Sequence, residues 1–532
     1  MKTTPRNNEK TTKKREKRTI FPLPFQRFRG SLRFLFLLFT IVFVRYYYGE
    51  ILWKMQDLSL FISSFTELHQ VAGTRINIPV YIGRFFLQFC YYPWLGTLLV
   101  TLFLCLIQWL TERILRFGSS HWLYIASYLP SAGILVHMSL CNYNFIYEVD
   151  PSNLFILLLT ILSIATISWV CLSILRRMMG KKKPTFSSLS SKEAYSGWGV
   201  ALAGVVLLVL FARPDENLRA MTRMQYFTQQ QEWDKVIDCT EGLSAPTRTV
   251  AAYRSIALVN TNQLGDRLFE IPYNYPEIQM KMPDGTFTQG SYFYTAEACF
   301  YSGLINSAYH HLMEFMILEG PSPFTLRLMI KCAILNQEWG LAERYLSVLE
   351  KMYFQKGFAE KYRNYIAHKE LIAKDPELVS AFDLEPINNN FEQAYREPIF
   401  IGYYINLTNG KSRRSLDLSL AACLYAKELE AFLPRTRALL GQSRIPTHFQ
   451  EAIALEGYSS GNGFEKQFPI SPLVASRTQA LLVEVSKYMD NQEKGREVLR
   501  KEYGNHYLYY YIFGNMVPKQ QGSQETNKNG VN

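Results

Sequence analysis

Four carboxylates stand just beyond two apolar runs: Glu50 and Asp57 follow residues 31–49, and Glu148 and Asp150 follow residues 122–140. Acids at the edge of an apolar run could serve as general base or metal ligand at the level of lipid headgroups, as in membrane transferases that take lipid-linked sugars. Glu50, Glu148 and Asp150 are the catalytic candidates of that reading. The competing explanation is compositional, because acids collect where basic residues are excluded. His448 and Glu451 lie three apart on one helical face and could share a metal, but no second ligand pair accompanies them. His310 and His311 point about 100° apart on a helix, one toward a groove and one toward solvent. No phosphate-binding P-loop and no HExxH occurs in the sequence. Eight cysteines form no CxxC pair. Cys239, Cys299, Cys332 and Cys423 sit in apolar helical contexts that suit buried thiols, while an oxidising compartment would allow a disulfide among them. These residues name no cofactor and no metal.

The elements that would hold those acids are membrane-length. Runs at 31–49, 85–110, 122–140, 151–175 and 194–212 are each apolar over a length that spans roughly 30 Å of hydrocarbon as helix. Arg45 closes the first run beside Tyr46, Tyr47 and Tyr48, where an arginine can snorkel into an aromatic belt. Gln108 and His137 lie inside runs, where polar groups face other helices. They are too few for an ion or proton path, which leaves a transporter component as the third choice of function. Five crossings place residues 1–33, 111–120 and 176–195 on one face, with eleven, two and six basic residues. Residues 50–84 and 141–152 fall on the other, with three. Nineteen against three puts the amino terminus in the cytoplasm and residues 213–532 on the far side.

The net charge of +12 therefore belongs to the membrane flanks, since residues 213–532 sum to −2. A nucleic-acid partner is disfavoured, because it would need the positive charge on the folded domain itself. Residues 1–30 are expected to be a disordered basic arm against anionic headgroups, and residues 518–532 a disordered tail.

Residues 213–517 read as helical repeats. Breaks at Gln230-Gln231-Glu232-Trp233, Asn262-Gln263-Leu264-Gly265, Ser302-Gly303-Leu304-Ile305, Asn336-Gln337-Glu338-Trp339 and Asn491-Gln492-Glu493-Lys494 each precede an amphipathic run. The first four are 32, 40 and 34 residues apart, the longer interval taken up by a Pro- and Gly-rich insertion at 271–290. Helix, tight turn and helix at about 34 residues is a tetratricopeptide-like pattern. Residues 382–411 are irregular and include the sequon Asn406-Leu407-Thr408, and Thr447 is placed to cap a short helix. The predicted fold is all-α, with about five transmembrane helices followed by a TPR-like solenoid.

The order of segments, with stretches such as RYYYGE and IPTHFQEAI, resembles a family of uncharacterised multi-pass proteins of Bacteroidota. The resemblance implies a Gram-negative host and a periplasmic repeat domain, and brings no activity with it. Stacked helix pairs leave a concave surface that takes extended segments, and the rings of YFYTAE, KMYFQKGFAEKYRNY and HYLYYYIFG could be displayed there, although core packing would account for them as well. The expected function is an inner-membrane protein whose periplasmic repeats bind or assemble a protein or peptide partner. The alternative is a membrane enzyme of envelope glycan or lipid metabolism.

Overall fold

A computed structural model describes residues 25–72, 76–115, 121–141, 143, 146, 150–179, 191–273, 280–281, 287–288, 294–386 and 412–514. The basic arm up to residue 24, Glu148, the sequon and the tail lie outside the described residues. Among the described residues the regular structure is helical, apart from an antiparallel ladder of two residues on each strand that pairs Met280 with Thr288 and Lys281 with Phe287.

The amino-terminal helices are α1 (Phe25–Asp57), α2 (Phe65–Ala72), α3 (Ile78–Leu87), α4 (Pro93–Leu115), α5 (His121–Ala126), α6 (Leu129–Cys141), α7 (Asn153–Met178) and α8 (Ser191–Phe211). Four stretches are long and apolar enough to cross a membrane: residues 29–57, 93–115, 122–140 and 153–178. A fifth arises only if Tyr195–Phe211 is taken with Glu216–Gln229, across a bend of 73°. Three boundaries differ from the sequence expectation. Helix α1 has 33 residues, about 50 Å, and overruns the hydrocarbon thickness. The run at 85–110 is split: α3 ends at Leu87, a 3₁₀ turn occupies Gln88–Tyr91, and α4 starts at Pro93. Proline, lacking an N–H and fixed in φ, breaks a helix behind it and opens one ahead. The run at 122–140 is interrupted at Ser127 and Tyr128, between α5 and α6.

The carboxy-terminal helices come in pairs with one spacing. They are α9 (Glu216–Gln229) with α10 (Trp233–Asp238), α11 (Arg248–Asn260) with α12 (Leu264–Arg267), α13 (Thr295–Tyr301) with α14 (Ile305–Glu319), and α15 (Pro323–Leu335) with α16 (Trp339–Leu349). Then follow α17 (Lys356–Ala367), α18 (Pro376–Leu384), and the pair α19 (Arg413–Tyr425) and α20 (Leu429–Thr436). The chain ends in α21 (Thr447–Ser460), α22 (Pro472–Ser486), α23 (Gln492–Tyr503) and α24 (Tyr507–Phe513). In every pair the second helix starts four residues after the first ends, through a left-handed residue: Gln231, Asn262, Gly303, Gln337 and Lys427 have φ of 58°, 56°, 80°, 62° and 60°. The next N–H closes each turn onto a carbonyl five residues back, as in Glu232 to Phe227 at 3.0 Å and Glu338 to Ala333 at 2.7 Å. This satisfies carbonyls that the helix end would orphan and reverses the chain at a fixed angle, which is what makes the array solenoid-like. The Asn491 break works otherwise: Asn491 has φ of −142° and its side chain accepts from the Lys494 N–H as a helix cap.

The chain forms two compact units, both discontinuous in sequence. One comprises residues 1–43, 101–137 and 159–213, the other 44–100, 138–158 and 214–532. The second unit thus contains the solenoid together with the end of α1, all of α2 and α3, the start of α4, and the segment between α6 and α7.

Candidate functional site

The densest buried chemistry of the second unit gathers at the end of α1. Lys54 and Asp57 sit three apart on the last turn of that helix, 2 % exposed each, with their charged atoms 3.6 Å apart. Arg327 of α15 pairs with Asp57 and also donates to the Gln355 side-chain amide oxygen, Oε1, at 3.3 Å. One turn along α15, Lys331 pairs with Glu377 of α18 at 2.6 Å, and the same carboxylate accepts from the Tyr301 hydroxyl at 2.6 Å. Glu297 of α13 accepts from the Tyr253 hydroxyl of α11, which in turn accepts from Gln225 of α9 at 3.1 Å. Burial pushes the Glu297 carboxyl above the usual carboxylate range, against the pull of Lys54 and of the Tyr253 hydrogen bond. Lys54 also stands 4.2 Å from the centre of the Phe324 ring.

Local sequence explains how these groups arrive. Helix α15 starts on a capping box, Ser322 with Thr325, and Pro323 takes its first turn. Its remaining residues are apolar except Arg327 and Lys331, which four-residue spacing sets on one face. Asp375 opens α18 by accepting from the Glu377 and Leu378 N–H groups at 3.0 Å. Burial alone would raise the Asp375 carboxyl, but Lys361 at 2.8 Å and those backbone donors hold it below the usual range. Three cations face three carboxylates, and neither Asp57 nor Glu377 is a bare base. Such a network fixes one docking register, since an unpaired member would be costly.

The sequence candidates are placed as follows. Glu50 pairs with Arg45 at 2.9 Å. Asp150 pairs with Arg84 at 2.6 Å and accepts from the Ser152 N–H and hydroxyl at 2.9 and 2.6 Å, just ahead of α7. Burial would raise the Asp150 carboxyl, but Arg84 and Ser152 hold it below the usual range. Each described candidate is thus tied to its own cation rather than to the other. Asp57 is drawn into the α15 network, and Glu148 lies outside the described residues. Gln108 donates to the Ser127 hydroxyl at 3.1 Å, whereas His137 occupies an exposed position on α6.

His448 and Glu451 belong to a second buried cluster. His448 Nδ1 lies 3.0 Å from Glu451 Oε2, and its Nε2 accepts from the Phe269 N–H at 3.4 Å, so both ring nitrogens serve the protein. Glu451 also accepts from the Tyr507 N–H at 2.8 Å and stands 3.5 Å from His506 Nε2. Burial drives the His506 imidazole down to about 4, only partly opposed by Glu451. Burial would raise the Glu451 carboxyl, but the His448 hydrogen bond and the two imidazoles hold it low. Helix α21, whose cap the sequence assigns to Thr447, is capped from elsewhere: Asp266 of α12 accepts from the Thr447 N–H at 2.7 Å and from its hydroxyl at 2.8 Å. His310 and His311 both lean on Glu314, at 3.2 and 3.5 Å. Cys239, Cys299, Cys332 and Cys423 are free thiols, and burial raises Cys239 to about 11 and Cys423 to about 12.

The aromatic runs are mainly core. Tyr294, Tyr362, Tyr507 and Tyr510 are buried, and Phe269 stacks on Tyr510 at 4.5 Å, whereas Tyr353 is exposed. A shallow groove of about 590 Å³ follows α17, lined by Glu350, Lys356, Glu360, Arg363 and Asn364 among others.

Ion pairs and one hydrogen bond between distant segments follow one partition. In the first unit Glu112 binds both Arg29 and Arg33. In the second, Arg84 reaches Asp150, the Tyr143 hydroxyl reaches Asp215 at 3.2 Å, Lys351 reaches Glu67 at 3.3 Å and Arg327 reaches Asp57. Each of these joins segments that charge counting assigns to one face.

The model of a family of unknown function, DUF6057, matches residues 24–179 and 147–514. No curated protein and no solved structure matches the chain.

Proposed function

We propose that this chain, which belongs to the DUF6057 family of unknown function, is a membrane-held platform whose helical repeats bind or assemble a protein or peptide partner outside the cytoplasm. In this reading the chain crosses the inner membrane of a Gram-negative cell five times, with its amino terminus inside and its solenoid in the periplasm. The observation that carries it is the partition of ion pairs. Arg29 and Arg33 meet Glu112, while residues 44–100 and 138–158 fold with 214–532 as one unit. That grouping is what alternate crossings produce, and nineteen basic residues against three give it a direction. The binding role is supported by stacked helix pairs, by the mixed-charge groove along α17, and by described loop carboxylates that are already neutralised.

The test has two arms. A photoreactive residue at position 364 should yield a discrete adduct in native membranes, and replacing Glu50, Glu148 and Asp150 together by their amides should leave that adduct in place. Under the rival reading of an envelope glycan or lipid enzyme, the triple amide variant would lose all complementation of a deletion strain, and no adduct would form at 364.

A further inference from the structure

We infer that α3 is an in-plane membrane helix, seated in the headgroup and upper acyl region of the leaflet on the solenoid side. This goes beyond the platform reading and rests on it only in taking α4 to cross a bilayer. Ile78, Ile82 and Phe85 are 67, 41 and 38 % exposed, while Val80, Gly83 and Leu87 are buried. At 100° per residue the three exposed side chains fall within an arc of about 60°, a single apolar stripe.

The opposite face is fixed in place. A Cβ on Gly83 would meet Ile156 and the Ser152 carbonyl at 2.9 Å, so this face sits directly on the start of α7. Asn77 caps the helix by accepting from the Val80 N–H at 3.0 Å. Arg84 is the one charge between Ile76 and Leu98, and it is spent on Asp150 and on the Leu60 carbonyl at 3.1 Å. The stripe is therefore held outward with no charge to solvate it.

Its occupant follows from continuity. Beyond the four-residue turn that follows α3 the exposed apolar surface resumes at Tyr92 and runs through Trp94, Leu95 and Leu98 of α4, the helix that is itself long and apolar enough to cross a membrane. Arg45 lies 5.3 Å over the Trp94 ring, the cation and aromatic pair expected at headgroup level. With ten residues, about 15 Å, α3 is too short to cross and suited to lying flat.

An environment-sensitive fluorophore encoded at position 82, in the full chain reconstituted into phosphatidylcholine vesicles, reads the occupant directly. A nitroxide near the lipid carbonyl should quench it about twofold or more beyond both aqueous iodide and a nitroxide at the acyl terminus. The same label at position 458, on the solenoid, should respond to iodide alone. Quenching at 82 by iodide alone would overturn the proposal, and so would protection from all three quenchers, which would mean a protein surface or a second copy on the stripe. Depth in the leaflet does not depend on which side faces out, so a reversed topology would leave this result unchanged.

Discussion

The two buried polar clusters of the second unit solve one problem with different chemistry. The cluster at the end of α1 uses ion pairs, Asp57 with Arg327 and Glu377 with Lys331, and joins residues 270 positions apart. The cluster on α21 sets one carboxylate, Glu451, between two imidazoles, and closes α24 onto the rest of the array. A guanidinium pair costs more to bury but is deaf to mild acid, whereas a neutral imidazole is cheap to bury and lost once it must carry a proton. The ion pairs anchor the helix that also runs into the first unit, and the imidazoles hold the last described helix of the solenoid.

The largest effect should come from removing one cation of the first cluster. Arg327→Met leaves buried Asp57 with only Lys54, 3.6 Å away, and should weaken the second unit by about 3 kcal/mol, read from denaturant unfolding in micelles. Adding Asp57→Asn should recover much of that loss, and a double variant as unstable as the single one would break the comparison.

Acid should find the second cluster. His506 falls from an ordinary 6.5 to about 4 when folded, so the unfolded chain takes up the proton first. Its stabilisation is complete above pH 6.5, declines as pH falls, and by pH 4 has lost on the order of 3 kcal/mol. Glu451, held low when folded, adds to the loss below its ordinary value of 4.5. His506→Asn, which keeps an acceptor for the Leu508 N–H, should flatten melting temperature against pH between 4 and 6.5. Arg327→Met should leave that slope as it is.

A smaller effect separates geometry from charge. Gly303 has φ of 80°, and a Cβ there would press on the peptide between Leu384 and Glu385 at the end of α18, the helix that carries Glu377. Gly303→Ala should cost about 2 kcal/mol with no change in pH slope. Gln337→Gly, at a turn of the same kind, should be neutral or stabilise by up to about 1 kcal/mol, because Gln337 holds a left-handed φ of 62°.

What the sequence disclosed follows from locality. Four of the five left-handed turns were legible, because recurring Gln-Glu-Trp, Asn-Gln and Ser-Gly breaks mark a reversal within a few residues. The turn at Lys427 escaped, since lysine carries no αL signature and the exchange of Lys427 to the Gly514 carbonyl at 2.8 Å is long-range. The α1 cluster left a readable trace in Arg327 and Lys331, two cations four apart in an otherwise apolar helix, but nothing local says that Asp57 is the partner. The loop acids pointed toward catalysis by position alone, and their neutralisation by Arg45 and Arg84 needed tertiary structure. Pro93 was visible, yet a tolerated kink and a helix start look alike until the turn at Gln88–Tyr91 is seen.

Sidedness carries the account, and paired reporters fused after Asn532 test it most directly. An alkaline phosphatase fusion, active only when exported, should be active, and a fluorescent protein that matures only in the cytoplasm should stay dark. A bright fluorescent fusion beside an inactive phosphatase would put the solenoid inside the cell and contradict the proposed platform.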